Sequence, residues 1–95
     1  MNRQKLQANL AAIHRLARQH GALALRVFGS VARGDTRPDS DLDLLAEFEP
    51  RRDLLDIAGF KLDLEALLGC KVDVVEEQGL NPLVRERILR EAQPL

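Results

Sequence analysis

The sequence predicts an α/β fold, because amphipathic helical segments alternate with short, apolar, strand-like runs along all 95 residues. No linker, repeat or low-complexity segment interrupts this alternation. With 45% hydrophobic side chains, a chain of this length can bury one hydrophobic core but not two. We therefore expect a single domain that spans residues 1–95.

The first half of the chain is predicted to hold a helix, a strand, a short helix and a second strand. Four apolar residues at helical spacing mark one face of the first helix, which should end near Gly21. A strand over residues 23–28 then leads into a turn at Gly29 and Ser30. Residues 31–33 should open a short helix. The residues of the apolar face are Leu6, Leu10, Ile13 and Ala17.

The second half alternates strands with two longer helices. The predicted strands are residues 41–48 and 71–76. A helix over residues 53–68 separates them, and Gly69 closes it at the position where a left-handed C-terminal cap favours glycine. Asn81 and Pro82 are typical of the N-cap and first residue of a final helix, which should end before Pro94.

Charge balance and cysteine content exclude several functional classes. The 14 basic residues nearly equal the 15 acidic ones, whereas a general nucleic-acid binder carries a marked basic excess. Arginines 85, 87 and 90 lie towards the end of the last helix, where the helix dipole favours positive charge. Cys70 is the only cysteine, so no internal disulfide can form and a reducing cytoplasm is the expected setting. No apolar stretch has signal-peptide or bilayer-spanning length, so we expect neither membrane association nor direct nucleic-acid binding.

The segment GSVARGDTRPDSDLDLL, residues 29–45, combines a glycine-serine turn with two alternating carboxylates. Side chains i and i+2 of a strand point to the same side, so the carboxylates of Asp41 and Asp43 should converge. Asp73 lies in KVDVVEE, a strand-like run that could pair beside them. Three converging carboxylates that face a phosphate-binding turn suit Mg²⁺-dependent chemistry on a nucleoside triphosphate.

Electrostatics favours a metal site over a set of free acids. Two carboxylates about 4 Å apart repel by roughly 4 kcal/mol at an effective dielectric constant near 20, so either a cation binds or one acid takes up a proton. The alternative for DSDLD is a solvated turn, since Asp and Ser are ordinary turn residues. An EF-hand loop is excluded because Leu44 stands where glycine is required. A P-loop is excluded because Asp35, which precedes Thr36, stands where the motif requires Lys.

The combination of GSVARG, SDLDLL and the later Asp in KVDVV resembles the minimal nucleotidyltransferase (MNT) group of the DNA polymerase beta superfamily. The resemblance covers residues 23–75 and implies a small mixed sheet with helices packed mainly on one face. It also implies two Mg²⁺ ions bridged by Asp41 and Asp43, with Asp73 binding only the ion at the nucleophile.

The resemblance implies that the glycine-serine turn binds the phosphates of ATP. Gly29 would let the backbone approach the β- and γ-phosphates, and Ser30 would offer its hydroxyl and its backbone N–H. Arg33 lies one helical turn further on, where it could reach the same anion or tie the loop down.

Relatives of this kind imply an antitoxin whose partner is a helical HEPN ribonuclease toxin. The antitoxin would transfer AMP from ATP to a toxin hydroxyl, expected to belong to a Tyr, and release pyrophosphate. A non-catalytic antitoxin that blocks its toxin by binding alone is the first alternative. A transferase acting on a small molecule is the second, although the chain has no room for an acceptor domain.

The helix predicted over residues 53–68 carries more apolar residues than one face needs, ten in all. Surplus apolar surface on a short chain indicates a protein partner or a homodimer. The alternative is that the first and last helices cover it.

Overall fold

A computed structural model describes residues 1–95 and contains five α-helices and four β-strands, which confirms the predicted α/β alternation. None of the helices is both long enough and apolar enough to span a bilayer. The helices are α1 (Arg3–Ala8), α2 (Leu10–Gln19), α3 (Gly29–Arg33), α4 (Leu54–Leu68) and α5 (Pro82–Glu91). The strands are β1 (Ala22–Phe28), β2 (Leu42–Phe48), β3 (Val72–Glu76) and β4 (Gln93–Pro94).

The four strands form one mixed sheet in the order β3-β2-β1-β4. Strand β1 is antiparallel to both of its neighbours, whereas β2 and β3 run parallel. This confirms the expected mixed sheet. Strand β4 was not predicted, because two residues that include a proline carry no strand pattern; Gln93 and Pro94 pair with Val27 and Arg26.

The predicted first helix is wrong in one respect, since the structure divides it at Asn9 into α1 and α2. The side-chain amide of Asn9 donates to the carbonyl of Lys5 at 2.8 Å, the oxygen that its backbone N–H would use in a continuous helix. The backbone N–H of Asn9 donates instead to the carbonyl of Leu6. The apolar face survives the break, because Leu6, Ile13 and Ala17 are all buried.

Helix α4 begins and ends where its capping residues predict. The Asp53 carboxylate accepts from the backbone N–H groups of Leu55 and Asp56, and the Asp56 carboxylate accepts from the N–H of Asp53. Gly69 ends the helix with a φ of +66°. Asn81 likewise caps α5, by accepting from the N–H of Leu83.

The main core lies on one face of the sheet, beneath α1, α2 and α4. Its fully buried side chains include Ile13, Leu42, Leu44, Phe60, Leu64, Leu68 and Val72. Leu45 and Ile88 are buried outside this cluster, and strand alternation places Leu45 on the opposite face from Leu44. Helix α5 packs against α3, which brings its last turn to the end of β1.

Candidate active site at the end of strand β1

The glycine-serine turn directly follows β1 and forms the first two residues of α3, which begins at Gly29 and not at Val31 as predicted. Gly29 adopts a φ of +74°. L side chains rarely adopt this conformation. A Cβ atom at position 29 would also overlap with the Oδ2 atom of Asp43. Glycine is therefore required twice at this position, by backbone conformation and by the close approach of a carboxylate.

The predicted acids lie at the start of two neighbouring strands. Asp43 is the second residue of β2, and the parallel register places it directly beside Asp73 of β3. Asp41 precedes β2, which begins at Leu42 and not at Asp41 as predicted. All three acids are half-buried. The structure thus brings Asp43 and Asp73 together as expected, with Asp41 at the entrance to the strand.

A cavity of about 510 Å³ opens over the turn. Five of the six predicted site residues line it, and Asp73 lies just outside. No group of three or more His, Cys, Asp or Glu side chains is arranged as a complete metal site. The lining residues are Phe28, Gly29, Ser30, Arg33, Asp39, Ser40, Asp41, Asp43, Arg87, Ile88 and Glu91.

Electrostatic repulsion at the site is concentrated on Asp43. The pKa of its carboxyl group is raised to about 6, mainly by burial and then by the negative charges of Asp73 and Asp41, while Arg33 opposes the rise. A divalent cation would remove this repulsion, and carboxylate oxygens are the ligands that Mg²⁺ prefers. The donor set therefore fits magnesium.

Arg33 anchors the turn through two acidic side chains. Its guanidinium donates to Asp35 at 3.2 Å and to Glu91 at 3.0 Å. Glu91 also accepts from the backbone N–H of Gly29, at 2.5 Å. Sequence reasoning missed Glu91, because a contact across 62 residues leaves no local signal. It also missed Arg87, which it assigned only to the helix dipole and which lines the cavity.

Helix α4 leaves apolar surface uncovered on its outer side. Leu54 and Leu55 are each 80% exposed and Leu62 is 63% exposed, whereas Phe60, Leu64 and Leu68 are buried. The first and last helices therefore do not cover the surplus apolar residues of α4. We call the three exposed side chains, Leu54, Leu55 and Leu62, the α4 leucine patch.

Comparison with known proteins points to one family. Residues 12–95 match the family model described as the nucleotidyltransferase domain. The chain is 42% identical over 74 residues to MJ0435 of Methanocaldococcus jannaschii, a candidate protein adenylyltransferase, covering 78% of this chain and 80% of the relative. It is 40% identical over 76 residues to the protein adenylyltransferase MntA of Thermococcus cleftensis, covering 80% and 77%.

Solved structures agree. The structure of a candidate minimal nucleotidyltransferase is 57% identical with a TM-score of 0.88, covering 100% of this chain and 97% of that chain. A toxin-antitoxin with AMP-PNP matches at 19% identity and a TM-score of 0.78, over 90% and 71% of the chains. A tri-AMPylated Shewanella oneidensis HEPN toxin in complex with an MNT antitoxin matches at 18% identity and a TM-score of 0.71, over 93% and 69%. At such identities the last two similarities are of fold alone.

Proposed function

The chain belongs to the nucleotidyltransferase domain family, and we propose that it transfers AMP from ATP to a hydroxyl group of a HEPN-type toxin, acting as the antitoxin. The observation that carries the proposal is the direct contact between the Gly29 turn and Asp43, with Asp41 on the same cavity. A phosphate-binding turn and paired carboxylates are the parts that nucleotidyl transfer requires.

In this proposal Asp41 and Asp43 would hold two Mg²⁺ ions, and Asp73 would hold only the ion at the nucleophile. Bound there, magnesium supplies positive charge to the triphosphate and lowers the pKa of the attacking hydroxyl. The raised pKa of Asp43 supports the assignment, because a site that disfavours its own negative charge gains most from a cation.

The turn is proposed to hold the triphosphate. The positive φ of Gly29 and its missing side chain allow close approach of the β- and γ-phosphates, while Ser30 presents its hydroxyl and N–H. Arg33, half exposed at the cavity wall, adds positive charge. With the phosphates held there, the α-phosphate faces the carboxylates.

The acceptor is proposed to be a toxin hydroxyl, expected to be that of a Tyr. Its oxygen forms a bond to the α-phosphorus, and the bond from that phosphorus to the bridging oxygen breaks. Pyrophosphate would leave with the electron pair, and the hydroxyl proton would pass to Asp73. AMPylation of the HEPN toxin in the S. oneidensis complex, and AMP-PNP in a related complex, support this choice of donor and acceptor.

The α4 leucine patch is proposed as the toxin contact, because large apolar side chains that are exposed together on one helix mark an interaction surface. The same patch fits a non-catalytic antitoxin that blocks the toxin by binding alone. The enzyme is favoured because the site retains Gly29, Ser30 and all three acids, with Asp41 on the same cavity as Asp43 and Asp73 beside Asp43 on the neighbouring strand.

Co-expression with a HEPN-type helical protein, followed by mass spectrometry of that protein, tests the proposal. We expect a mass gain of one or more AMP units, which Asp41→Asn abolishes. A tightly held but unmodified partner would instead identify a steric antitoxin.

A further inference from the structure

The donors of the proposed phosphate-binding turn are bonded to an anionic side chain of the same chain. The Oε1 atom of Glu91, in the last turn of α5, accepts from the Gly29 N–H at 2.5 Å. The same oxygen accepts from the Arg33 guanidinium at 3.0 Å. One carboxylate oxygen thus bridges the backbone and side-chain donors that face the cavity.

We propose that Glu91 is an internal competitor of the triphosphate: its carboxylate occupies the phosphate subsite, and ATP must displace it to bind. This inference rests on the proposed nucleotidyltransferase function. Beyond the residues already assigned to that function, it identifies Glu91 as a residue that sets the affinity for nucleotide.

Competition follows from the chemistry of the contact. A backbone N–H makes one strong hydrogen bond, so the Gly29 donor cannot serve Glu91 and a phosphate oxygen at once. A carboxylate left in place would also repel the incoming phosphates. The Glu91 side chain is only 21% exposed, so it is held in the cavity wall and is not a solvated surface group.

A second position for the Glu91 carboxylate exists on its own helix. Arg87 lies one turn earlier on α5, lines the same cavity and forms no ion pair. Residues four apart on a helix are neighbours, so a displaced Glu91 can pair with Arg87. Displacement also releases Arg33 to face the phosphates. The turn therefore exchanges the Glu91 carboxylate for a phosphate of ATP. After the exchange Glu91 pairs with Arg87, and Arg33 pairs with the phosphate.

Binding of ATP and Mg²⁺, measured by calorimetry on the full chain, tests the inference. Glu91→Gln keeps the shape of the side chain and removes its charge, and Glu91→Ala removes the acceptor. We expect both to bind ATP about tenfold more tightly than the wild type, a gain of about 1.4 kcal/mol. Glu86→Gln, the same change at an exposed position of α5, should leave the affinity unchanged.

Weaker ATP binding by the Glu91 variants would contradict the inference. If Glu91 only supports the turn, its removal weakens ATP binding, and an unchanged affinity would also overturn the competition. Absence of ATP binding in wild type and variants alike would overturn the proposed function itself.

A measurement on the wild type keeps the test independent of variant folding. The carboxyl carbon resonance of Glu91 should shift when ATP and Mg²⁺ saturate the protein, because the side chain leaves the Gly29 N–H. An unmoved resonance at saturation would contradict displacement.

Discussion

Asp43 approaches Gly29 so closely that the carboxylate occupies the space of a side chain at position 29. Gly29 directly follows β1 and Asp43 is the second residue of β2, and the antiparallel register places Phe28, the last residue of β1, opposite Asp43. The glycine-serine turn and the Asp43 carboxylate are therefore fixed to each other by strand pairing. This contact is the structural basis of the proposed site.

Gly29→Ala should cost more stability and more nucleotide affinity than Gly34→Ala. Both glycines have a positive φ, +74° and +80°, so alanine at either position costs about 1–2 kcal/mol of backbone strain. Only at Gly29 would the new methyl group also displace Asp43, since nothing lies within 4 Å of a Cβ at Gly34. Thermal melts and ATP titrations of the two variants provide the comparison.

Equal losses in the two variants would contradict this relationship. They would show that backbone strain alone accounts for the cost at Gly29. The position of the Asp43 carboxylate would then have no part in it.

Stability should depend on pH through Asp43. Its pKa in the folded protein, about 6, lies above the ordinary 3.8, so the folded state binds this proton more tightly than the unfolded chain. Stability from this group is therefore greatest below pH 4 and is lost as the pH rises to about 6. Water reaches Asp43, so we expect a loss of only about 1 kcal/mol, or roughly 5 °C in Tm.

Asp43→Asn should remove that loss, because the amide stays neutral throughout the range. Melts between pH 4 and 8, recorded with a metal chelator, provide the check. A variant that still loses stability across the same range would show that another group titrates there.

Magnesium should stabilise the protein through the acids. A ligand present at about 100 times its Kd adds roughly 2.7 kcal/mol to the free energy of unfolding. Asp41→Asn should abolish this gain. Glu47→Gln, at the far end of β2, should retain it. Identical melting temperatures of the wild type with and without millimolar Mg²⁺ would exclude the metal site.

Partner binding should be separable from catalysis. Leu55→Glu places a charge in the α4 leucine patch and should weaken the complex at least tenfold, since an unpaired buried charge at an interface is costly. Leu23→Glu makes the same change on β1, where the side chain is 61% exposed, and should have no effect. Asp41→Asn should leave binding intact. Equal weakening by both leucine variants would move the interface away from α4.

Local interactions explain which parts of the fold could be predicted from sequence. The caps at Gly69 and Asn81 depend on residues within a turn of them, and the structure confirms both. The break at Asn9 depends on which of two hydrogen-bond donors satisfies the Lys5 carbonyl, which periodicity does not report. Strand β4 exists only because Val27 pairs with a segment far along the chain.

The candidate site likewise has parts that local sequence patterns predict and parts that depend on tertiary packing. Alternation along a strand predicted that Asp41 and Asp43 would share a side, and both line the cavity. The pairing of Asp43 with Asp73 followed from two strands expected to be neighbours. The contact of Glu91 with Gly29 comes from the packing of α5 on α3, which no sequence pattern encodes. The roles assigned to the acids remain predictions.

The most direct test of nucleotidyl transfer supplies ATP labelled at either the α- or the γ-phosphate to the purified complex with the proposed HEPN-type partner. We predict that the α-label becomes covalently attached to the toxin and that the γ-label leaves as pyrophosphate. Asp43→Asn should abolish transfer, and Asp73→Asn should reduce it while ATP binding persists. Attachment of the γ-label, or full activity of Asp43→Asn, would contradict nucleotidyl transfer at this site.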